Sequence, residues 1–482
     1  MDPTPGRLAA SVFRGAGAAS GPAKGPLRVH PDNPRYFTDG AAGSDGRLKA
    51  VFLTGSHTWT NLIDRGPSDP PPAFEFERYL DLLQRHHHNF IRLWGRQLSW
   101  YREYGTRELR AGPLAWPRTG PGLALDGKPR FNLAKHDPAY FQRLRERAQG
   151  AGERGIYVSV MLFGGYQEAE AEWAGSPFHR DNNVNGIDGD PDQDGLGRET
   201  QSLAELPAAV AELQKAYVRK VIDTVGDLDN VLYEISNESG GYSVEWQNDL
   251  IRFIKSYEKT RPKQHPVGLT AVDLPLDRVR AELDASPADW VSYLFAAKPL
   301  AGLEAFDPRN PFVASGRKVS IQDSDHWWVK ELYGDAEFGR DWVWKGFCRG
   351  HNPILMEHLP PVSFLDADYP LSSTDPGYSA SREAMGQTRR YAERVNLAAM
   401  APLPDLASTG YCLADPGQEY LVYLPAGGAV IVDLSAAAGE LTAEWLNPVE
   451  GGTAAGTVPG GARRELRAPF SGPAVLYLVK RS

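Results

Sequence analysis

The sequence predicts an α/β fold: a (β/α)8 TIM barrel followed by a small C-terminal antiparallel β-sandwich. Three observations carry this. Eight short apolar runs alternate with stretches of helical spacing, no glycine-rich phosphate loop follows the first run, and beyond about residue 401 the helical spacing stops while short strand-like runs continue. Regular strand–helix alternation builds a parallel sheet, and eight such units close into a barrel. A doubly wound sheet is the rival, but it would carry a glycine turn for phosphate after its first strand.

Taken in order, residues 1–26 are rich in Gly, Ala and Pro and read as a flexible leader. The eight runs are Lys49–Thr54, Asn89–Trp94, Gly155–Phe163, Asn230–Ser236, Pro266–Val272, Asp289–Leu294, Lys318–Asp323 and Pro353–Glu357. Each is short and rich in β-branched or aromatic residues, as a strand buried on both faces should be. Between them, Leu213, Tyr217, Val218, Val221 and Val225 fall on one helix face. Asp137-Pro138 reads as N-cap and first helical residue, with Gly152 or Gly155 as the stop. A third helix is expected over Ser379–Asn396. The alternating runs Tyr420–Tyr423, Ala429–Val432, Leu441–Trp445 and Ala474–Leu478, separated by Gly and Pro turns, suggest the sandwich. The expected division is therefore a leader (1–26), a catalytic barrel (27–400) and an accessory β-domain (401–482).

Composition narrows the function. Among the 482 residues, 52 Lys and Arg stand against 61 Asp and Glu, a formal net charge of −9. That balance speaks against a broad nucleic-acid footprint or an anionic membrane surface. No apolar run approaches the ~18 residues of a membrane span. The two cysteines, Cys348 and Cys412, make neither a disulfide framework nor a Cys-rich zinc site. No secretory signal is visible, so a cytoplasmic protein and an exported one whose signal has been removed both remain open.

Barrel enzymes place their chemistry at the C-terminal ends of the strands. Reading those ends in order gives His57 and Trp59, then Arg92 and Trp94, then Tyr166, then Asn237 and Glu238, then Asp323, Asp325 and His326, and last Glu357. Carboxylates, an arginine and aromatics converging on one rim suit a sugar: aromatic faces stack on C–H surfaces, and carboxylates protonate the leaving oxygen and stabilise an oxocarbenium-like centre. Trp327 and Trp328 are further aromatic candidates. Glu234, four residues before Glu238 on the same strand, shares its face and reads as a structural ion pair.

The runs NFIRLWG, VLYEISNES and KVSIQD resemble the second, fourth and seventh strands of clan A glycoside hydrolases. More narrowly, NPRYFTDG, LTGSHTWTNL, NNVNGIDGDPDQDG, DSDHWW and RGHNPILMEHL are similar to a cellulase-like family of bacterial proteins. Members of that family often end in a β-domain catalogued, from sequence, as collagen-binding, and YCLADPGQEYLVYLPAGG onward looks like that domain. The resemblance implies an oligo- or polysaccharide substrate, Glu238 as general acid/base, and a carboxylate nucleophile ending the seventh strand. It departs from the clan there, where Asp323 stands in place of the usual Glu and Asp325 shares its face; Asp323 is the favoured nucleophile, with Asp325 and Glu357 as the alternatives. Arg92 would support the nucleophile's charge, and Asn237 would bond a sugar hydroxyl. His57, Trp59, Trp94, Tyr166, Asn183, His326, Trp327 and Glu357 are the expected substrate contacts.

Two other classes stay open: a carbohydrate-binding protein without catalysis, and a metal-dependent hydrolase using the histidines. No HExxH motif exists, and no H-x-H follows the first strand. The stretch from Asp188 to Gly195 resembles the first half of a calcium loop, but Gln201 stands at the twelfth position from Asp190, where such a loop wants Glu. No metal and no cofactor are expected.

Overall fold

The computed structural model describes residues 21–43, 46–103, 107–165, 170–270, 276–293, 309–324, 334–357 and 375–480. Eight parallel strands form one sheet: β1 (Gly55–His57), β2 (Phe90–Trp94), β3 (Tyr157–Gly164), β4 (Val231–Asn237), β5 (Val267–Thr270), β6 (Trp290–Ser292), β7 (Val319–Asp323) and β8 (Asn352–Met356). Their order is β1-β8-β7-β6-β5-β4-β3-β2, a sheet curled until β1 and β2 meet. Asparagines stitch that last seam. Asn61 donates to the Arg92 carbonyl at 2.6 Å and accepts from the Trp94 amide at 3.1 Å, while Asn89 accepts from the Thr54 amide at 3.0 Å.

The first strand lies later than the sequence suggests. Val51 instead forms an antiparallel bridge with Phe37, and the Leu53 and Thr54 amides are held by the side chains of Asn352 and Asn89. The apolar run Lys49–Thr54 therefore closes the barrel's floor, and the strand proper is the small, polar Gly55-Ser56-His57. The other seven runs fall on strands within a few residues.

Period two arranges the barrel interior in layers. Phe90, Tyr157, Leu232, Trp290, Val319, Ile321 and Ile354 form an apolar floor. Gly268 leaves the space that the Trp290 indole fills, since a Cβ there would lie 1.9 Å from the ring. Two residues further along their strands stand Arg92, Glu234 and Asp323, a buried polar layer. Trp94, Met161 and Met356 close over it, with Trp59 packed against them.

Helices α1 (Phe76–Arg85), α2 (Pro138–Glu153), α3 (Ala208–Val225), α4 (Val244–Glu258), α5 (Leu276–Ala285), α6 (Ala336–Cys348) and α7 (Pro376–Arg394) accompany the strands. Asp137 caps α2 by accepting from the Ala139 amide at 2.9 Å, and Gly155, at φ +75°, follows its end. Helix α7 begins three residues earlier than expected, at Pro376, because proline fits the first helical position.

Beyond α7, β9 (Ala401–Pro402), β10 (Cys412–Asp415), β11 (Glu419–Leu424), β13 (Glu440–Leu446), β14 (Thr453–Pro459) and β16 (Ala474–Lys480) make an antiparallel sheet ordered β9-β10-β11-β16-β13-β14. The pair β12 (Ala429–Asp433) and β15 (Arg463–Arg467) makes a second, small sheet. Tyr420, Val422, Leu441, Trp445, Leu476 and Leu478 share a core with Val430 and Val432 of that pair. The opposite face of the large sheet joins the core of the barrel through Leu421, Tyr423, Leu446, Val475 and Tyr477.

Candidate active site

The polar layer is one connected hydrogen-bond network centred on Arg92. Its Nε donates to Glu234 Oε2 at 2.9 Å, and Nη2 donates to Glu234 Oε1. Nη1 donates to Asp323 Oδ2 at 2.5 Å, and Nη2 also reaches Asn237 Oδ1 at 2.7 Å. Thr270 adds a hydroxyl to Glu234 Oε1. A guanidinium presents its donors in a rigid planar fork, so it fixes strands β2, β4 and β7 relative to one another. Glu234 is the structural partner, fully buried and held in a bidentate pair.

His57 extends the network. The Trp94 indole N–H donates to His57 Nδ1 at 3.0 Å, and His57 Nε2 lies 2.9 Å from Asp323 Oδ1. An indole can only donate, so Nδ1 is the acceptor and the proton sits on Nε2, which donates to Asp323. The imidazole also stacks on Trp94, ring centroids 5.8 Å apart and planes 12° from parallel. Among the described residues, His57 donates to one oxygen of Asp323 and Arg92 to the other, and Asp323 is fully buried.

Glu238 is built differently. It is half-buried rather than enclosed, and its φ is +53°, in the left-handed region that costs a residue with a side chain of this size. Gly165 makes that turn fit: its amide donates to the Asn237 carbonyl at 2.6 Å, and a Cβ on it would lie 2.2–2.3 Å from the backbone of Asn237, Glu238 and Ser239. Gln201 braces the same place by donating to the Gly164 carbonyl at 2.8 Å and accepting from the Ser239 hydroxyl at 2.9 Å. The strand's end is thus tied to Arg92 on one side, through Asn237, and to Gly165 and Gln201 on the other.

Glu357 ends β8 with both oxygens bound by Arg382 of α7, at 2.8 and 2.6 Å. Trp59, half-buried, meets Trp94 edge-on with ring centroids 6.4 Å apart. Tyr166, Asp325, His326, Trp327 and Trp328 lie outside the described residues. Asn183 does not serve as the sequence suggested. It is buried, its amide N–H groups face the carbonyls of Pro177, His179 and Ile187, and its Oδ1 accepts from the Asn185 and Ile187 amides. Every hydrogen-bonding position is filled by its own loop, so it folds that loop rather than meeting a sugar. Among the described residues, the histidines of the metal reading are occupied separately: His351 Nδ1 lies 2.8 Å from the Ser320 hydroxyl and Nε2 lies 2.7 Å from the Phe312 carbonyl, while His57 is held by Trp94 and Asp323.

Reading from the sequence missed three contributors. Asn61 clamps the Arg92 strand, Thr270 caps Glu234, and Gln201 braces the Glu238 turn. Asn61 sits in the LTGSHTWTNL stretch and offered a signal; the other two act across the sheet and offered none.

Residues 112–283 match a family described as "Domain of unknown function (DUF6298)", and no curated protein matches the chain. Among solved structures, one named "Glycoside hydrolase" is similar at 14% identity and a TM-score of 0.55, over 95% of this chain and 97% of that one. A glycoside hydrolase family 5 protein from Bacteroides vulgatus is similar at 14% identity and a TM-score of 0.56, over 96% of this chain and 95% of that one. The chain shares its fold with these two proteins over nearly its whole length.

Proposed function

We propose that the protein is a glycoside hydrolase acting on an oligo- or polysaccharide, with Glu238 as the general acid/base. The observation that carries this is the Glu238 turn. A half-buried glutamate is held at φ +53° at the end of a barrel strand, and a glycine and a glutamine from neighbouring segments maintain it. Backbone strain that the surroundings over-determine clusters at functional sites. Asn237, fixed by Arg92, would meet a sugar hydroxyl beside the anomeric carbon while Glu238 protonates the glycosidic oxygen.

The partner carboxylate comes from the end of β7. In the reading we favour first, Asp323 attacks the anomeric carbon as the leaving oxygen takes the Glu238 proton, and Glu238 then removes a proton from water to release the sugar with retained configuration. Arg92 and His57 place a hydrogen-bond donor on each oxygen of Asp323 and so fix the orientation of its carboxylate. One observation favours a second reading: Asp323 is fully buried. In that reading Asp323 orients Arg92 and His57, and Asp325, two residues on, is the nucleophile. Azide separates the two. It should restore turnover of an activated aryl glycoside in Asp323→Gly and yield a glycosyl azide of inverted anomeric configuration. Rescue in Asp325→Gly alone would establish the second reading, and an inverted product from the unaltered enzyme would sink the covalent mechanism.

The β-domain fits a stabilising role better than collagen binding, because one face of its large sheet is taken up by the barrel.

A further inference from the structure

The loop between β3 and α3 carries a second group of acids, and its arrangement differs from what the sequence suggested. Asp190, Asp192 and Glu199 bring one carboxylate oxygen each to within 4.8 Å of one another. Glu199 is the tenth position counted from Asp190, not the twelfth. A 3-10 turn over Arg198–Gln201 swings it in, and Gln201 is turned instead toward the Gly164 carbonyl and Ser239. That turn starts from Gly197 at φ +60°, where a Cβ would lie 2.4 Å from the Trp173 ring, so the indole wedges the loop into this course.

The decisive feature is unmet hydrogen bonding. Glu199 is 6% exposed and its Oε2 is buried without a partner; Asp190 is 8% exposed and its Oδ1 is likewise orphaned. Asp190 Oδ2 is occupied by the Gly195 amide at 3.0 Å, so Oδ1 is the oxygen left unpaired. None of the ion pairs among the described residues includes Asp190, Asp192 or Glu199; the nearby Arg180 pairs with Asp188 at 4.0 Å. Burying a carboxylate oxygen with neither donor nor cation is costly, and here two such oxygens belong to one group of three acids.

We propose that Asp190, Asp192 and Glu199 bind one calcium ion. Three carboxylates with no His or Cys among them are a hard, all-oxygen donor set, which suits calcium or magnesium and not zinc. Calcium–oxygen distances of about 2.3–2.6 Å let oxygens on opposite sides of the ion stand about 4.6–5.2 Å apart, a span that accommodates this group. The partly exposed position of the site leaves room for the waters that complete a coordination number of six to eight. Asp192, exposed on the loop, supplies the ligand nearest solvent. The ion would tie the loop's tip to the 3-10 turn whose Gln201 braces Gly164 and Ser239. The proposal stands apart from the reading of Glu238, because its readout is binding and melting rather than turnover.

The test uses the full-length chain stripped with EGTA and dialysed. Titration calorimetry with calcium should give about one site per chain, and 1 mM calcium should raise Tm by about 3–5 °C. Terbium should occupy the same site and show luminescence sensitised by Trp173, quenched on adding calcium. Asp192→Asn, a change at an exposed residue, should weaken calcium binding at least tenfold, and Asp192→Asn with Glu199→Gln should abolish the Tm rise. The proposal is overturned if the stripped chain shows neither calcium binding nor a Tm rise at 1 mM, or if the double variant binds undiminished. Magnesium acting equally well at equal concentration would overturn the assignment to calcium.

Discussion

Glu238 and Gly165 form a pair in which each explains the other. Glu238 adopts a conformation that side chains avoid, and Gly165 has no side chain where one would meet the Glu238 backbone. Glu238→Gln should leave the fold and Tm unchanged, since the replacement is nearly isosteric, yet remove at least ~100-fold of activity on substrates with poor leaving groups. Activated aryl glycosides should suffer less, because their departure needs little protonation; equal losses on both would exclude Glu238 as the acid. Gly165→Ala must push the Asn237–Ser239 backbone away. It should cost activity about as heavily as Glu238→Gln on poor substrates while the protein still folds, as circular dichroism and a melt would show. Full activity in Gly165→Ala would mean that the turn is dispensable. Only half of this pair was legible in the sequence. Asn-Glu ending a fourth strand is a local signal, whereas the closeness of Gly165 arises across two strands and leaves no mark in the letters around it. Asn183 is the converse case: a polar residue beside acids and glycines reads as a ligand contact, but an asparagine that hydrogen-bonds its own loop has the same local sequence.

At the scale of elements, strand and helix periodicity placed seven of the eight barrel strands, because a strand buried on both faces is a continuous apolar run and little else is. It failed at β1, where Gly55-Ser56-His57 is polar: this strand faces the network rather than the floor, so its side chains are chosen for hydrogen bonding. The start of β8 carries a further device. His351 is fully buried, with Phe312 and Ser320 on its two nitrogens. Burial above all, then the nearby Arg280, Arg349 and Arg35 against the opposing Phe312 carbonyl, pushes it down to about 4. The unfolded chain takes up a proton there near pH 6.5 and the folded chain does not until about pH 4, so the folded state is favoured fully above pH 6.5 and loses this advantage as pH falls toward 4. Between pH 7 and 4.5 the loss from this one group should be about 2–3 kcal/mol. Glutamine can make both hydrogen bonds without titrating. His351→Gln should therefore lose less stability than the unaltered chain over that interval, measured by urea unfolding at the two pH values. Identical losses would show that His351 is protonated without penalty in the fold.

Across the whole molecule, the large C-terminal sheet is the shared layer, packed on the small sheet by one face and on the barrel by the other. The run Glu419–Leu424 is buried along its whole length, and alternation divides it: Tyr420, Val422 and Leu424 face the sandwich core, while Leu421 and Tyr423 face the barrel. The sequence signalled a strand here, but it gave no sign that both faces would be covered, because the partner helices lie far away in the chain. Tyr423 stacks on Trp344 of α6 with planes 15° apart, and its hydroxyl donates to Asp341 Oδ1 at 2.5 Å. Glu444 accepts from Tyr391 and Arg394 of α7 at 3.0 and 2.7 Å. Aromatic side chains from α6, α7 and the sheet thus share one buried contact with polar groups paired at its edge. Truncating a buried aromatic costs about 3–5 kcal/mol, so Tyr423→Ala should lower Tm by several degrees. Tyr423→Phe keeps the stack, and Lys345 still pairs with Asp341 at 3.0 Å, so its loss should be about 1–2 kcal/mol. A chain ending at residue 400 would expose Trp344 and Tyr391, both fully buried in the intact protein, and should aggregate or melt well below it. If that shortened chain stays soluble, melts at the same temperature and hydrolyses glycosides at the normal rate, the β-domain does not stabilise the barrel. A pull-down of the intact protein on collagen would then become the informative measurement, and binding that survives in Tyr423→Ala would place the domain's function on the face turned away from the barrel.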